Sequence, residues 1–507
     1  MLGKIISINK DIVKIYLDID IYSQASLIGV NIIFEDNNLK ILGEIIALED
    51  TYMSARLLGY LENNKFYNTI KHPSFRSKIR VVSLNELASF LGPRELGKKN
   101  LFLGTSPIYK NYPVSIDLSK FYLGNFLIKG RAGSGKTLML KNIVTNTFKS
   151  SNYVPLNAKL MLLSRHNFNE AFDAFADISF ALNYRNINLS TYKMPFNLID
   201  AKSLKYLINI DKDHEYLIDM ALNLASNDMA LKNKELASLI KRVLKLDLSP
   251  FAKKAMVIEI LSSINTKLIS LDTFIKTDKD NQTILNIIND NLFNHYFIDY
   301  LDIFDNNTRL NSHYSFKEFS KALLMLYKIN KEEHLYYELN IDNINDYFNE
   351  EELCKENYIA NLFKFDKRYQ VVNINVKTIY EERLMKMLLS WMPLNKKEIY
   401  NVLIDDIEDF KEIFKYVDTD IKRENNVYYG LTTSNMLNIS KRMRQSIASY
   451  IILDDNIFNY EDRLACEKVE LVSDNIALVF GKAIKIPTLF NKAIEYKRDE
   501  LDRYWYQ

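Results

Sequence analysis

Residues Gly130 to Thr137 read Gly-Arg-Ala-Gly-Ser-Gly-Lys-Thr, and no other stretch restricts the fold of this chain as much. The apolar run Phe126-Leu127-Ile128 leads into it, and a segment with helical spacing, Leu138 to Phe148, leads out. A glycine-rich turn between a strand and a helix lets the backbone turn its N–H groups inward, forming an anion-binding concavity at the helix N-terminus. In that context G-x-x-x-x-G-K-T spacing predicts a phosphate-binding loop in an α/β fold. The backbone of Gly130, Arg131, Ala132, Gly133, Ser134 and Gly135 would cradle the phosphates of ATP. Lys136 would reach the β- and γ-phosphates, and the Thr137 hydroxyl would ligate Mg2+. The alternative is an ordinary glycine-rich β–α turn.

Glycine usage sharpens this reading. The chain has 13 glycines in 507 residues, far fewer than the roughly 7% that is usual. Three of them fall within these eight residues, and the next glycine after Gly135 is Gly430.

The chain is long enough for two or three domains with sizeable cores. Its formal net charge of +2 advertises no polyanionic partner, so nucleic-acid binding would have to come from local basic patches. Cys354 and Cys466 offer neither metal spacing nor a disulfide framework and fit a reducing, cytoplasmic setting. No signal-peptide pattern opens the sequence, and no apolar stretch reaches the ~18 residues of a membrane span.

Residues 1–90 read as short strands separated by turn signals, Lys4–Ile8, Ile12–Ile19, Val30–Glu35, Ile41–Leu48, Ala55–Leu61 and Lys78–Ser83. Their spacing predicts a small antiparallel β-barrel, with an irregular β cap as the alternative. Residues 91–200 read as a Gly- and Pro-containing connection followed by the first part of the nucleotide-binding core, with Lys159–Leu163 as its second strand. From 201 to 365 there is no glycine and one proline, and apolar residues recur at helical spacing, which predicts an all-α insertion. Residues 366–507 return to strands and complete the core.

A phosphate-binding loop needs a partner strand ending in a carboxylate. Val402-Leu403-Ile404-Asp405-Asp406 has that form. Asp405 would organise the Mg2+, and Asp406 sits where a residue polarising the attacking water is expected; a surface Asp-Asp turn is the alternative. NTPases of this class usually carry Glu at the second position. The shorter Asp406 sets a base back by about 1 Å, a displacement that can cost ~10²-fold in rate. Glu408 lies two residues on, where a side chain normally points elsewhere. The next strand, Val427 to Thr432, ends at Thr433-Ser434-Asn435, where Ser434 would sense the γ-phosphate or simply close a polar turn. Arg423 precedes that strand, either as an arginine supplied to a neighbour's phosphate or as a solvated charge, with Arg442 and Arg444 as reserve candidates.

The order of these parts resembles the HerA family of hexameric DNA-translocating ATPases, relatives of FtsK and of conjugation ATPases. Gly3-Lys4-Ile5-Ile6-Ser7-Ile8 resembles the start of the family's barrel, and Val114 to Leu118 followed by Asn125 to Gly130 is similar to its approach to the loop. Pro195-Phe196-Asn197-Leu198 resembles the motif before its helical insertion, and Ala477 to Pro487 looks like its closing hairpin. The chain departs from the pattern in carrying Asp406 for Glu, Thr433 or Ser434 for Gln, and Ser164 for Asp beside His166, which is a loop histidine or a site residue. The resemblance implies a RecA-like P-loop core with a mainly parallel sheet, and a homohexameric ring with ATP sites between subunits. It also implies a trans-acting role for Arg423, a channel contacting double-stranded DNA, and a separate nuclease or anti-phage effector as partner. Two further readings stand beside the translocase. One is a hexameric ATP-binding scaffold with weak hydrolysis that licenses an effector; the other is a conjugation-type secretion ATPase.

Overall fold

Alternating burial along the first ninety residues fixes an antiparallel sheet. The computed structural model describes residues 2–18, 27–36, 39–93, 100–150, 158–165, 182–189, 203, 206, 354–363, 369–421, 425–454 and 462–492. The chain divides into two compact units. The first comprises Met1–Asn186, Phe363–Ile374 and Lys396–Gln507, and the second comprises Ile187–Leu362 and Asn375–Asn395.

In the first unit, strands β1 (Gly3–Asn9), β2 (Ile12–Leu17), β3 (Asn31–Asp36), β4 (Leu39–Leu48), β5 (Tyr52–Glu62), β6 (Lys65–Tyr67) and β7 (Lys78–Val81) form one sheet. Its order is β1-β2-β5-β4-β3-β7, with β6 added on β5. Inward-facing Val13, Ile15, Ile32, Phe34, Ile41 and Ala55 are fully buried, as period-two patterning requires. The two edge strands meet where the Leu2 N–H donates to the Ile79 carbonyl at 3.0 Å. Strand β6 leaves no mark in the sequence pattern, because its three residues are too short to show alternation. A short helix α1 (Leu84–Leu87) follows, capped reciprocally by Ser83 and Glu86. The buried Glu86 carboxylate accepts from Arg80 Nη1 and Nη2, both at 2.8 Å, and from Lys40 at 2.9 Å. The Arg80 guanidinium holds it far below the usual carboxylate range.

The core sheet contains β8 (Asn100–Thr105), β9 (Pro113–Asp117), β10 (Asn125–Lys129), β11 (Ala158–Ser164), β12 (Leu182–Asn188), β13 (Tyr369–Asn375), β14 (Ile399–Ile404), β15 (Val427–Thr433), β16 (Ile447–Ile452), β17 (Ile476–Gly481) and β18 (Thr488–Lys492). They run in the order β12-β13-β11-β14-β15-β10-β16-β17-β18-β8-β9. The stretch from β11 to β16 is parallel, and β17, β18, β8 and β9 extend it antiparallel. The segment expected to be a connection is therefore partly core: β8 and β9 form one edge of this sheet. Helix α2 (Leu118–Tyr122) is N-capped by Asp117, and α3 (Lys136–Ser150) follows β10. Leu140, Ile143 and Val144 of α3 pack with Phe126, Ile128, Leu162, Leu403 and Ile451 in one core cluster. Gly430 is required at the sheet centre, because a Cβ there would lie 2.2 Å from Phe126 and 2.5 Å from Leu403.

Of the second unit, the described helices are α4 (Lys355–Leu362) and α5 (Ile379–Trp391). The α5 start is a capping box of Thr378 and Glu381. Tyr358 meets Trp391 edge to face, and Trp391 Nε1 donates to the Ser203 hydroxyl at 2.9 Å. Most of the expected helical insertion, together with Arg423 and His166, lies outside the described residues. Among the described residues no helix is long and apolar enough to cross a membrane.

Candidate nucleotide site

The parallel register brings four strand ends together. Lys129, the last residue of β10, pairs with Thr433 of β15 on one side and Ile452 of β16 on the other. Ile404 of β14 pairs with Leu431, so Asp405 emerges beside Thr432. Carboxyl ends of parallel strands are where open α/β sheets bind ligands. The loop Gly130 to Gly135 leaves β10 here, and its backbone explains the glycines. Gly133 and Gly135 have φ of +80° and +93°, a region that disfavours side chains. A Cβ on Gly130 would lie 2.1 Å from the Ser134 hydroxyl.

The structure brings Thr137 and Asp405 together. The Thr137 hydroxyl donates to Asp405 Oδ2 at 2.8 Å, and the Thr432 hydroxyl donates to Asp405 Oδ1 at 3.0 Å. Burial pushes the Asp405 carboxyl above its ordinary value, an effect opposed by the hydrogen bonds from Thr137 and Thr432. A hydroxyl and a carboxylate converging at the foot of a phosphate-binding loop is a hard-oxygen donor set that fits Mg2+. Among the described residues no group of three His, Cys, Asp or Glu side chains could hold a metal ion by itself, here or elsewhere.

Lys136 is buried, and its ammonium lies 3.2 Å from Asp406 Oδ1. Asp406 adopts the left-handed conformation, φ +50°, and its N–H donates to the Thr432 hydroxyl at 2.6 Å. That residue reverses the chain into the turn Ile407–Asp409, and the reversal sends Glu408 to the end of β15. Glu408 Oε1 there accepts from the Ser434 N–H at 3.0 Å, the Asn435 N–H at 3.2 Å and the Thr433 hydroxyl. Glu408 thus clamps the predicted sensor end, including Ser434, and does not stand in for Asp406 at Lys136. The exposed Arg131 pairs with Asp474 at 2.9 Å. Ala132 is exposed in the loop. Arg442 donates to the Thr419 carbonyl at 3.1 Å.

Two supports of the loop were not foreseen. Asp454, just beyond β16, is buried against Lys129 and also accepts the Arg131 N–H. Lys492, at the end of β18, donates to the carbonyls of Ser134 at 3.2 Å and Leu453 at 3.1 Å. Burial lowers the Lys492 pKa. The signal for Asp454 was present: a lysine closing the apolar run of β10 demands a carboxylate, and Ile451-Ile452-Leu453-Asp454 supplies one. No local pattern marks Lys492, because its partners are backbone carbonyls far away in sequence.

No model of a known protein family matches this chain, and no curated protein matches it either. Its fold has distant likenesses among solved structures. The bacterial conjugative coupling protein TrwBΔN70 is 10% identical, with 82% of this chain and 92% of that one covered, at a TM-score of 0.39. The pCW3 conjugation coupling protein TcpA, solved with ATPγS, is 9% identical over 92% of this chain and 89% of its own, at 0.24. The ATPase EscN of the enteropathogenic E. coli type III secretion system is 9% identical over 89% and 75%, at 0.20. With every one of these TM-scores below 0.5, the functional reading rests on the site itself.

Proposed function

We propose that this chain is an ATP- and Mg2+-dependent double-stranded DNA translocase of the HerA type. It would work in the cytoplasm as a homohexameric ring with a separate nuclease or anti-phage effector. The observation that carries the nucleotide reading is the 2.8 Å contact between Thr137 and Asp405 at the foot of a glycine loop with two positive-φ glycines. The loop amides receive phosphate, Lys136 neutralises phosphate charge, and Thr137 with Asp405 holds Mg2+, which would supply Lewis-acid stabilisation of the transferring phosphoryl group. Glu408 fixes the end of β15 so that Ser434 presents a constant surface to the nucleotide. We take residues 1–90 as the barrel, 91–200 and 366–507 as the two parts of the ATPase core, and 201–365 as the helical insertion. Arg423 is the residue offered to a neighbouring subunit.

A second reading is a hexameric scaffold whose ATP binding, with weak turnover, licenses an effector. The Lys136–Asp406 pair favours it, because the residue expected to polarise water is engaged with the phosphate lysine. ATPase rate with and without linear duplex, on protein whose mass is fixed by light scattering in the same buffer, separates the two. Severalfold stimulation of a hexamer supports the translocase. Slow turnover of an ATP-binding hexamer, indifferent to DNA, supports the scaffold.

A further inference from the structure

A cleft of about 640 Å3 opens on the first unit, away from the glycine loop and formed by other elements. One wall is helix α7 (Lys441–Ser446), which follows α6 (Lys411–Asp420) in the chain. Lys441 and Arg444 line the cleft from this helix, and their i, i+3 spacing sets them on one helical face. The turn after β17 supplies Lys482 and Lys485. Tyr450 and Phe480, stacked at 4.9 Å between ring centroids, add an aromatic surface to the cleft.

Charge distinguishes this cleft from an ordinary surface fold. Four cations face one carboxylate, Asp462, and that group is occupied in capping α8 (Arg463–Val469), accepting the Ala465 N–H at 3.0 Å. Among the described residues Lys441, Arg444 and Lys482 have no carboxylate partner, and Lys485 donates only to the Ser89 carbonyl. Burial, together with the charge of Lys120 outside the cleft, lowers the Lys485 pKa. The whole chain carries a formal charge of only +2, so this excess is local.

We infer that the cleft holds the sugar–phosphate backbone of duplex DNA, with Lys441, Arg444, Lys482 and Lys485 as its phosphate contacts. The inference rests on the translocase reading for the identity of the polyanion. Four cations drawn from two separate elements match successive phosphates along a backbone in number of charges. Contacts of this kind carry no sequence information and release counter-ions, so they register in the salt dependence of binding.

The test is anisotropy of a labelled blunt duplex titrated with full-length protein over a salt series. It compares the wild type, the double variant Lys441→Ala/Lys482→Ala and a control, Lys415→Ala, whose side chain is 75% exposed elsewhere. Both cleft lysines are exposed, and retained Mg·ATP binding certifies the fold of each variant. The expected result is a log–log salt slope shallower by about 2 in the double variant, close to 0.9 per lost contact, with the control unchanged. A wild-type slope retained in the double variant overturns this assignment and leaves the translocase reading standing. Failure of the wild type to bind duplex at all overturns the translocase reading, and this assignment with it.

Discussion

Lys136 and Asp406 form an ion pair, Nζ to Oδ1 at 3.2 Å, between the start of α3 and the residue that reverses the chain after β14. A phosphate received at the loop therefore competes with Asp406 for Lys136. Asp406 is one-third exposed, so the pair is partly screened and its loss is worth about 1 kcal/mol. Asp406→Asn should tighten Mg·ATP binding by roughly fivefold while lowering turnover. Asp406→Glu, with its longer carboxylate, should raise turnover. Calorimetry and a steady-state ATPase assay read these separately, and unchanged affinity in the Asn variant would remove the competition from the account.

Asp405 predicts a trade between stability and function. Its carboxyl is raised by burial, so its contribution to stability is full below the unfolded-state value and is lost as pH rises through the folded one. Once ionised, the side chain therefore opposes folding of the nucleotide-free protein. Asp405→Asn keeps groups able to bond Thr137 and Thr432, and should raise the nucleotide-free Tm by more at high pH, where the carboxyl is ionised, than at low pH. The same variant should lose Mg2+-dependent turnover. A gain in Tm that does not grow as pH rises would contradict the assigned cause.

Glu86 titrates in the opposite sense. Its folded-state value is depressed by Arg80, so its stabilisation is present above the ordinary carboxylate range and disappears as pH falls through the depressed value. Glu86→Gln weakens bonds to Arg80, Lys40 and Ser83, and should cost about 2 kcal/mol at pH 7. The loss should shrink toward pH 2 in urea unfolding curves. A pH-independent loss would assign the effect to packing.

Lys492 ties the last described strand to the tip of the phosphate loop through the Ser134 carbonyl. Lys492→Met should weaken Mg·ATP binding by about tenfold, near the ~1.4 kcal/mol expected for charge-assisted hydrogen bonds. As a positioning residue it should move KM more than kcat, and Lys492→Arg should restore part of the loss. An equal fall in kcat with KM unchanged would argue for a different role.

The phosphate loop, the strand before it and the helix after it were legible because glycine, lysine and threonine at fixed spacing have a local mechanical reason to be there. Asp405 was legible only as half of a pair. The chain holds two apolar runs that end in Asp-Asp, at Asp405 and at Asp454, and their sequence patterns are alike. Sheet order separates them: β14 is one strand removed from β10 across β15, while β16 lies directly beside β10. The first places its carboxylate at Thr137, and the second places it on Lys129 beneath the loop. The partners of Glu408 at the end of β15 were not legible for a local reason. The left-handed Asp406 reverses the chain, and positive φ at a non-glycine residue is not written in side-chain pattern. Strands β8 and β9 were hidden because Pro107, Pro113 and Gly104 read as a connection, yet an antiparallel edge tolerates proline at the start of a strand.

The most direct measurement is calorimetric titration of Mg·ATP into the wild type and Lys136→Ala. The account predicts one saturable site per chain in the wild type and no measurable site in the variant, with both proteins folded. Tight Mg·ATP binding retained by Lys136→Ala would contradict the assignment of the loop from Gly130 to Thr137 as the phosphate site.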